Sequence, residues 1–267
     1  MARAALVVEN LEKYFPPTLT GWRAFLLPLA RPTVRALAGV SFSVAPGEVL
    51  AVIGANGAGK STLLRILATL FLPTRGRAKV AGFDVEREPA RVRRQLGFHT
   101  GSDVGFYGRL SARENLEFFA ALNNLTRREA SRSIARVTEL LGLGAVLERQ
   151  VRTLSTGTVH RLGLARALLH KPAVLLLDEP TRSLDPLAAA EFRRFLKEDV
   201  VRQHGTTLLF ASHTLPEVEQ LAHRVALLHE GRLLACDTLP RVLASARAAT
   251  LEQALQKLTG HSQPEAS

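Results

Sequence analysis

Three glycines and a lysine at fixed spacing give the chain its first piece of chemistry. Gly54, Gly57 and Gly59 lead into Lys60, Ser61 and Thr62 in the run GANGAGKST, which fits the phosphate-loop pattern G-x-x-x-x-G-K-[ST]. Glycine lets the backbone curl so that successive N–H groups around Asn56 point inward and cradle phosphate oxygens. Lys60 has the reach to meet β- and γ-phosphates, and the Ser61 hydroxyl can ligate Mg2+. A nucleoside triphosphate is the ligand this chemistry serves. Two carboxylates supply the next step. Asp178 and Glu179 close the apolar run 174–177. A carboxylate at the C-terminal end of a buried parallel strand lies at the sheet edge where ligands bind. Asp178 is then placed to hold Mg2+, directly or through water, and Glu179 to polarise the water that attacks the γ-phosphate. A third group, Leu154-Ser155-Thr156-Gly157-Thr158, precedes a helical pattern, so its hydroxyl and N–H groups suit an anion. Ser155 is equally well explained as an ordinary N-cap.

These groups need elements to position them. Residues 48–53 read as a buried strand entering the loop, and 61–70 as the helix leaving it. Phosphates would thus meet a helix N-terminus with its partial positive charge. Segments 6–11 and 40–44 read as short strands, with Ser41 and Ser43 alternating against apolar neighbours and Pro46-Gly47 turning the chain. Strands are also expected at 173–177, 206–211 and 225–228, and a helix at 155–169. Between 110 and 144 the pattern is helical, opened by Ser111 and Glu114 at capping-box spacing. Alternating strands and helices argue for an α/β chain with a mostly parallel sheet. Residues 16–35 carry Trp22, Phe25, Leu26, Leu27 and Leu29, an apolar excursion that reads either as a short docked helix or as a covered loop.

Composition bounds the classes of function. The chain has 267 residues, 46% of them hydrophobic, enough to bury a sizeable core. It has no uncharged apolar run of about 20 residues, so no membrane span is expected. Residues 1–6 lack the apolar core of a signal peptide. The one cysteine, Cys236, excludes a disulfide framework or a cysteine-rich metal site. A cytoplasmic location follows most simply. Lys and Arg number 35 against 24 Asp and Glu, giving +11. Arg91, Arg93 and Arg94 cluster, as do Arg127 and Arg128, but no arginine block interleaves with aromatics as single-strand binding requires. The excess is read as an aid to solubility or membrane proximity, and no specific nucleic-acid partner is expected.

Taken in order, phosphate loop, helical insertion, LSTGT, LLLDEPTRSLD and ASHT resemble an ATP-binding-cassette (ABC) ATPase over residues 6–243. In that family two nucleotide-binding domains pack head to tail, and each ATP lies between one phosphate loop and the opposing signature motif. The resemblance implies a P-loop NTPase core, an N-terminal antiparallel β subdomain and an inserted helical subdomain at about 102–165. A C-terminal extension, 244–267, would follow, its tail from 261 frayed. It also makes Tyr14 the aromatic that stacks on adenine, although the excursion behind it blurs the alignment. Ser155 and Gly157 would touch the γ-phosphate of the partner subunit's ATP, and 183–185 would form the loop that communicates across the dimer. Asp178 and Glu179 match the magnesium-site aspartate and the catalytic glutamate, and His213 the switch histidine that senses the γ-phosphate.

Two positions depart from the family pattern. Thr156 and Thr158 replace a glycine and the glutamine of LSGGQ, while the phosphate-touching Ser155 and Gly157 survive. Gly101 stands where a glutamine normally reaches the metal or the attacking water and couples the site to the membrane subunit. Asp103 is the residue nearby that can replace the metal contact. Segment 105–116 resembles the subgroup serving drug, sodium or polysaccharide exporters, where it grips a coupling helix. The expected function is an ATP- and Mg2+-dependent ATPase subunit that powers a separate transmembrane permease. It would sit peripherally on the cytoplasmic face of the membrane, as a homodimer or beside a paired cassette. The alternatives are a soluble ATPase acting on nucleic acid or the ribosome, and a regulatory module that binds ATP without turnover.

Overall fold

The computed structural model describes residues 4–16, 34–100, 105–182 and 184–260. The expectations for the interior of 16–35, for Gly101 and Asp103, for Ser183 and for the tail from 261 lie outside the described residues. The chain opens with β1 (Leu6–Phe15) and β2 (Val34–Val44), enters β3 (Val49–Ile53) and continues into helix α1 (Lys60–Leu67). β4 (Arg75–Val80), β5 (Phe83–Asp84), α2 (Pro89–Gln95) and β6 (Leu96–Thr100) follow. Helices α3 (Ala112–Leu122), α4 (Arg127–Leu140) and α5 (Thr156–Leu168) make the insertion. The core resumes with β7 (Val174–Asp178), α6 (Pro186–Phe195), β8 (Thr207–Ala211), α7 (Leu215–Leu221), β9 (Arg224–His229) and β10 (Arg232–Thr238). Helices α8 (Leu239–Ser245) and α9 (Leu251–Thr259) end the described chain, with Leu251 and Ala254 buried.

Two sheets share the work. The antiparallel sheet runs β2-β1-β4-β5, and the larger one β10-β9-β3-β8-β7-β6. In the larger sheet β9-β3-β8-β7-β6 are parallel and β10 pairs antiparallel at the edge. The expected α/β class, mostly parallel sheet, antiparallel β subdomain and helical insertion are therefore all present. Every residue of β3, β7 and β8 is buried, which is why these strands read as unbroken apolar runs rather than alternating ones. In β3, Leu50 and Val52 join α1 and the antiparallel sheet in one core. Val49, Ala51 and Ile53 face the other core, which takes in the helical insertion. One strand thus ties both layers together.

The insertion is two capped helices and a turn before the signature helix. Ser111 Oγ accepts from the Glu114 N–H at 3.1 Å while Glu114 Oε2 accepts from the Ser111 N–H at 2.7 Å. Thr126 and Glu129 repeat the arrangement at the start of α4. Helix α5 then packs directly on β6. A Cβ at Gly163 would lie 2.5 Å from His99 Cε1, so only glycine permits this approach. His99 sits edge-on to His160, ring centroids 4.6 Å apart, and both rings are buried.

This seam carries a pH dependence. Burial, then the nearby His160 and Arg166, hold the His99 imidazole down from 6.5 to about 3. Neither of its ring nitrogens has a hydrogen-bond partner among the described residues. The folded pKa is depressed, so the unfolded chain takes up this proton first as pH falls below 6.5. Stability is full above that value and declines from there toward about 3, by up to about 1.4 kcal/mol per pH unit. We expect chemical denaturation between about pH 7 and about pH 5 to show this slope, and His99→Leu to flatten it. An unchanged slope in the variant would contradict the assignment.

Candidate active site

The phosphate loop is shaped by what surrounds it. Gly54 follows β3 directly, and a Cβ there would fall 2.1 Å from the Leu228 carbonyl oxygen. Gly59 takes φ +105 and would meet the Ala36 carbonyl oxygen at 2.4 Å. Close walls from β9 and β2, together with that positive φ, make these two positions glycine. Helix α1 begins at Lys60 with no side-chain cap and no acid in its first turn, so its leading N–H groups are free to take an anion. Lys60 folds back over the loop, donating to the Gly54 carbonyl at 2.7 Å and the Ala55 carbonyl at 3.1 Å. Burial lowers its pKa, against the opposing pull of Glu179 and Asp178. The ammonium thus bridges two carbonyls of its own loop.

Asp178 ends β7, against which α1 packs. It is 8% exposed, and Oδ1 is buried with no partner among the described residues. An orphaned carboxylate oxygen is costly. It fits a cation, and Ser61, in the first turn of α1, supplies the matching hydroxyl. Glu179 follows in a left-handed conformation, φ +53, its N–H donating to the Ala211 carbonyl at 2.9 Å. That backbone strain, on the order of 1–2 kcal/mol for a non-glycine residue, aims the carboxylate across to the next strand. There His213, just beyond β8, meets it: Nδ1 lies 2.6 Å from Glu179 Oε2. An ionised carboxylate only accepts, so Nδ1 carries the proton.

The remaining expected residues are distributed differently. Ser155 N-caps α5, accepting from the Thr158 N–H at 3.3 Å with the two hydroxyls 2.9 Å apart. It is exposed, and among the described residues no hydrogen bond or ion pair joins Ser155 or Gly157 to the phosphate loop. Tyr14 lies on β1 opposite Arg35, one residue from the wall at Ala36. Its hydroxyl donates to Glu12 Oε2 at 2.9 Å, and the Arg35 guanidinium sits 5.6 Å from its ring centroid. Of the communication loop, Asp185 is described; it N-caps α6 through the Leu187 and Ala188 N–H groups at 3.1 and 3.0 Å. Sequence reasoning missed Ser212 and Glu217, whose side chains bond behind the histidine at 2.6 Å. Glu217 comes from helix α7, and no local spacing marks it.

Known proteins share this layout. A family model described as ABC transporter matches residues 37–182, from the wall of the phosphate loop to just past Glu179. The ABC transporter ATP-binding protein NatA of Bacillus subtilis (strain 168) is 35% identical over 221 residues, covering 83% of this chain and 89% of that protein. The daunorubicin resistance ATP-binding protein DrrA3 of Streptomyces coeruleorubidus is 38% identical over 235 residues, 88% of this chain and 68% of its own length. A solved ATP-binding subunit of an ABC transporter superposes with a TM-score of 0.78 at 26% identity, covering 96% of this chain and 99% of that one. The chain belongs to the ABC transporter family. It is an ATP-binding, ATP-hydrolysing cassette.

In this cassette Lys60 adds two bonds to a loop that the backbone also holds, the Ala58 N–H donating to the Ala55 carbonyl at 3.1 Å and the Gly231 N–H to the Ala58 carbonyl at 3.0 Å. Lys60→Met should weaken ADP binding at least about 10-fold, since charge-assisted bonds to phosphate are worth about 1.5–3 kcal/mol. Without nucleotide its stability should hold or rise, because a desolvated cation is removed. Calorimetric titration and thermal unfolding check both halves, and undiminished ADP affinity would contradict the role.

Proposed function

We propose that this cassette hydrolyses ATP with Glu179 as the group that polarises water and His213 as the group that holds and releases it. The observation that carries the reading is the 2.6 Å contact between them, set beside Lys60 and the orphaned Asp178 oxygen. Ser61 and Asp178 would hold Mg2+, which when bound draws charge off the phosphate oxygens. Lys60 would exchange its two carbonyl partners for phosphate oxygens. His213 now spends its Nδ1–H on Glu179; a γ-phosphate arriving at the loop competes for that imidazole and frees the carboxylate to accept a proton from water. Tyr14 would take the adenine on the ring face opposite Arg35.

A single cassette supplies half of such a site. Ser155 and Gly157 are free of their own phosphate loop, and the exposed N-terminus of α5 is suited to a phosphate brought by another chain. A head-to-tail pairing of two cassettes answers this, as a homodimer or with a related chain. We expect Glu179→Gln to keep ATP, to accumulate dimers on size exclusion with ATP, and to lose about 100-fold or more in turnover. Undiminished turnover would sink the assignment.

The partner in the membrane is proposed from the helical insertion. Among the described residues no helix is long and apolar enough to cross a membrane. Tyr107, Phe118 and Leu122 are large, exposed side chains, 52%, 38% and 62% accessible. Tyr107 stacks edge-on with Phe118 at 5.0 Å, and Arg166 lies 4.9 Å from the ring centroids of both Phe106 and Phe119. Buried Asn115 staples the turn beneath, bonding the Tyr107 N–H at 2.8 Å and its carbonyl at 3.1 Å. A rigid aromatic platform of this kind suits an amphipathic coupling segment of a permease. The name of the daunorubicin resistance protein favours an exporter, with the cassette held on the cytoplasmic face. Paired Tyr107→Ala and Phe118→Ala substitutions should lose co-purification with the permease while nucleotide affinity stays within about twofold. Retained association would contradict the platform's role.

A further inference from the structure

One buried acid near the reacting groups has no part in the chemistry above. Glu217 stands in the first turn of α7, 1% exposed. Burial raises its pKa, with the Glu179 charge adding, while Ser212, Thr181 and Arg193 pull the other way. Its carboxyl is buried between the Ser212 and Thr181 hydroxyls. An acid in such a place is costly unless it holds something the protein needs.

What it holds is the turn carrying His213. Ser212 Oγ donates to Glu217 Oε2 at 2.6 Å, and the Thr214 N–H donates to Ser212 Oγ at 3.0 Å. The Glu217 N–H returns to the Thr214 carbonyl at 3.1 Å, closing a ring of bonds around the histidine. Ser212 is fully buried, and its own N–H donates to the Val52 carbonyl at 3.2 Å, next to the phosphate-loop strand's end. His213 itself is exposed, and Glu179 is the partner its side chain takes. With little packing on the ring, its aim is set by the backbone on either side.

We infer that Glu217 is a positioning residue for the reaction: through the Ser212 hydroxyl its carboxyl fixes the turn that aims His213 at Glu179. The inference rests on the roles proposed above for those two residues. A role in folding alone would cost stability and change turnover by the same factor with or without His213. A role in aiming would act through His213 and vanish without it.

The test is a mutant cycle in ATP turnover by the purified full chain at saturating ATP and Mg2+. Glu217→Ala and Ser212→Ala should each lower kcat about 10-fold with the ADP Kd within about twofold. Glu217→Gln keeps an acceptor oxygen and the volume, and should recover to within about threefold of the natural chain. In a His213→Ala background, Glu217→Ala should add less than about a twofold loss. Additive losses, or natural turnover in Glu217→Ala while His213→Ala is impaired, would overturn the inference alone. Natural turnover in His213→Ala would overturn both it and the proposed role of the histidine. Should Glu217→Ala not fold, the smaller Ser212→Ala change carries the same cycle with the same outcomes.

Discussion

Everything at the site depends on β8 bonding in parallel to β3 on one edge and to β7 on the other. The three strands run the same way, so their C-terminal ends open on one side of the sheet. That single constraint brings together a phosphate loop from residue 54, two carboxylates from 178 and a histidine from 213. Register makes the placement tight. Asp178 is opposite Ala211, and the next residue on each strand, Glu179 and Ser212, begins the turn that delivers the reacting side chains. A slip of one residue in β7 would send the carboxylate pair to the wrong faces. What resists the slip is close packing on each face, Leu175 and Leu177 fitted into one core and Val174 and Leu176 into the other.

Against that rigid frame the polar groups are left short of partners. Lys60 holds two carbonyls of its own loop, Asp178 keeps a buried oxygen without a bond among the described residues, and Glu179 bonds a histidine just beyond the next strand. In the proposed reading each arrangement would improve on nucleotide binding, phosphate satisfying the lysine and a divalent cation the aspartate. Stability has been exchanged locally for readiness, a common state of affairs at active sites. The insertion repeats the theme at its seam, where glycine at 163 lets α5 press on His99, whose ring nitrogens have no hydrogen bond among the described residues.

Much of this was legible in the sequence, for physical reasons. The phosphate loop is local: its chemistry requires glycines and lysine at adjacent positions, so spacing alone reveals it. Strands β3, β7 and β8 announced themselves as apolar runs ending in polar residues. The capping box at Ser111 and Glu114 was equally plain, and the similar one at Thr126 and Glu129 was there to be read. β4 escaped because Arg75, Arg77 and Lys79 face outward and leave Ala78 and Val80 as the buried positions. Helix α2 is a single arginine-rich stretch of 7 residues behind Pro89, too short to show a period. The early strands were placed correctly but cut short, because Tyr14 and Phe15 pair with Arg35 and Val34 across a long intervening segment. Glu217 was invisible although its partner Ser212 is only five residues away, because a Ser and a Glu at that spacing form no standard cap or turn pattern.

In the proposed reading one cassette holds half of a site and a second completes it. Mixing two inactive variants tests this directly. Lys60→Met destroys the phosphate loop and leaves Ser155 and Gly157 intact; Ser155→Arg does the reverse. In a head-to-tail pair each mixed dimer contains one fully natural site. Either variant alone should be inactive, and an equal mixture should regain about a quarter of natural turnover, half the dimers being mixed with one working site of two. A mixture as inactive as its components would contradict it.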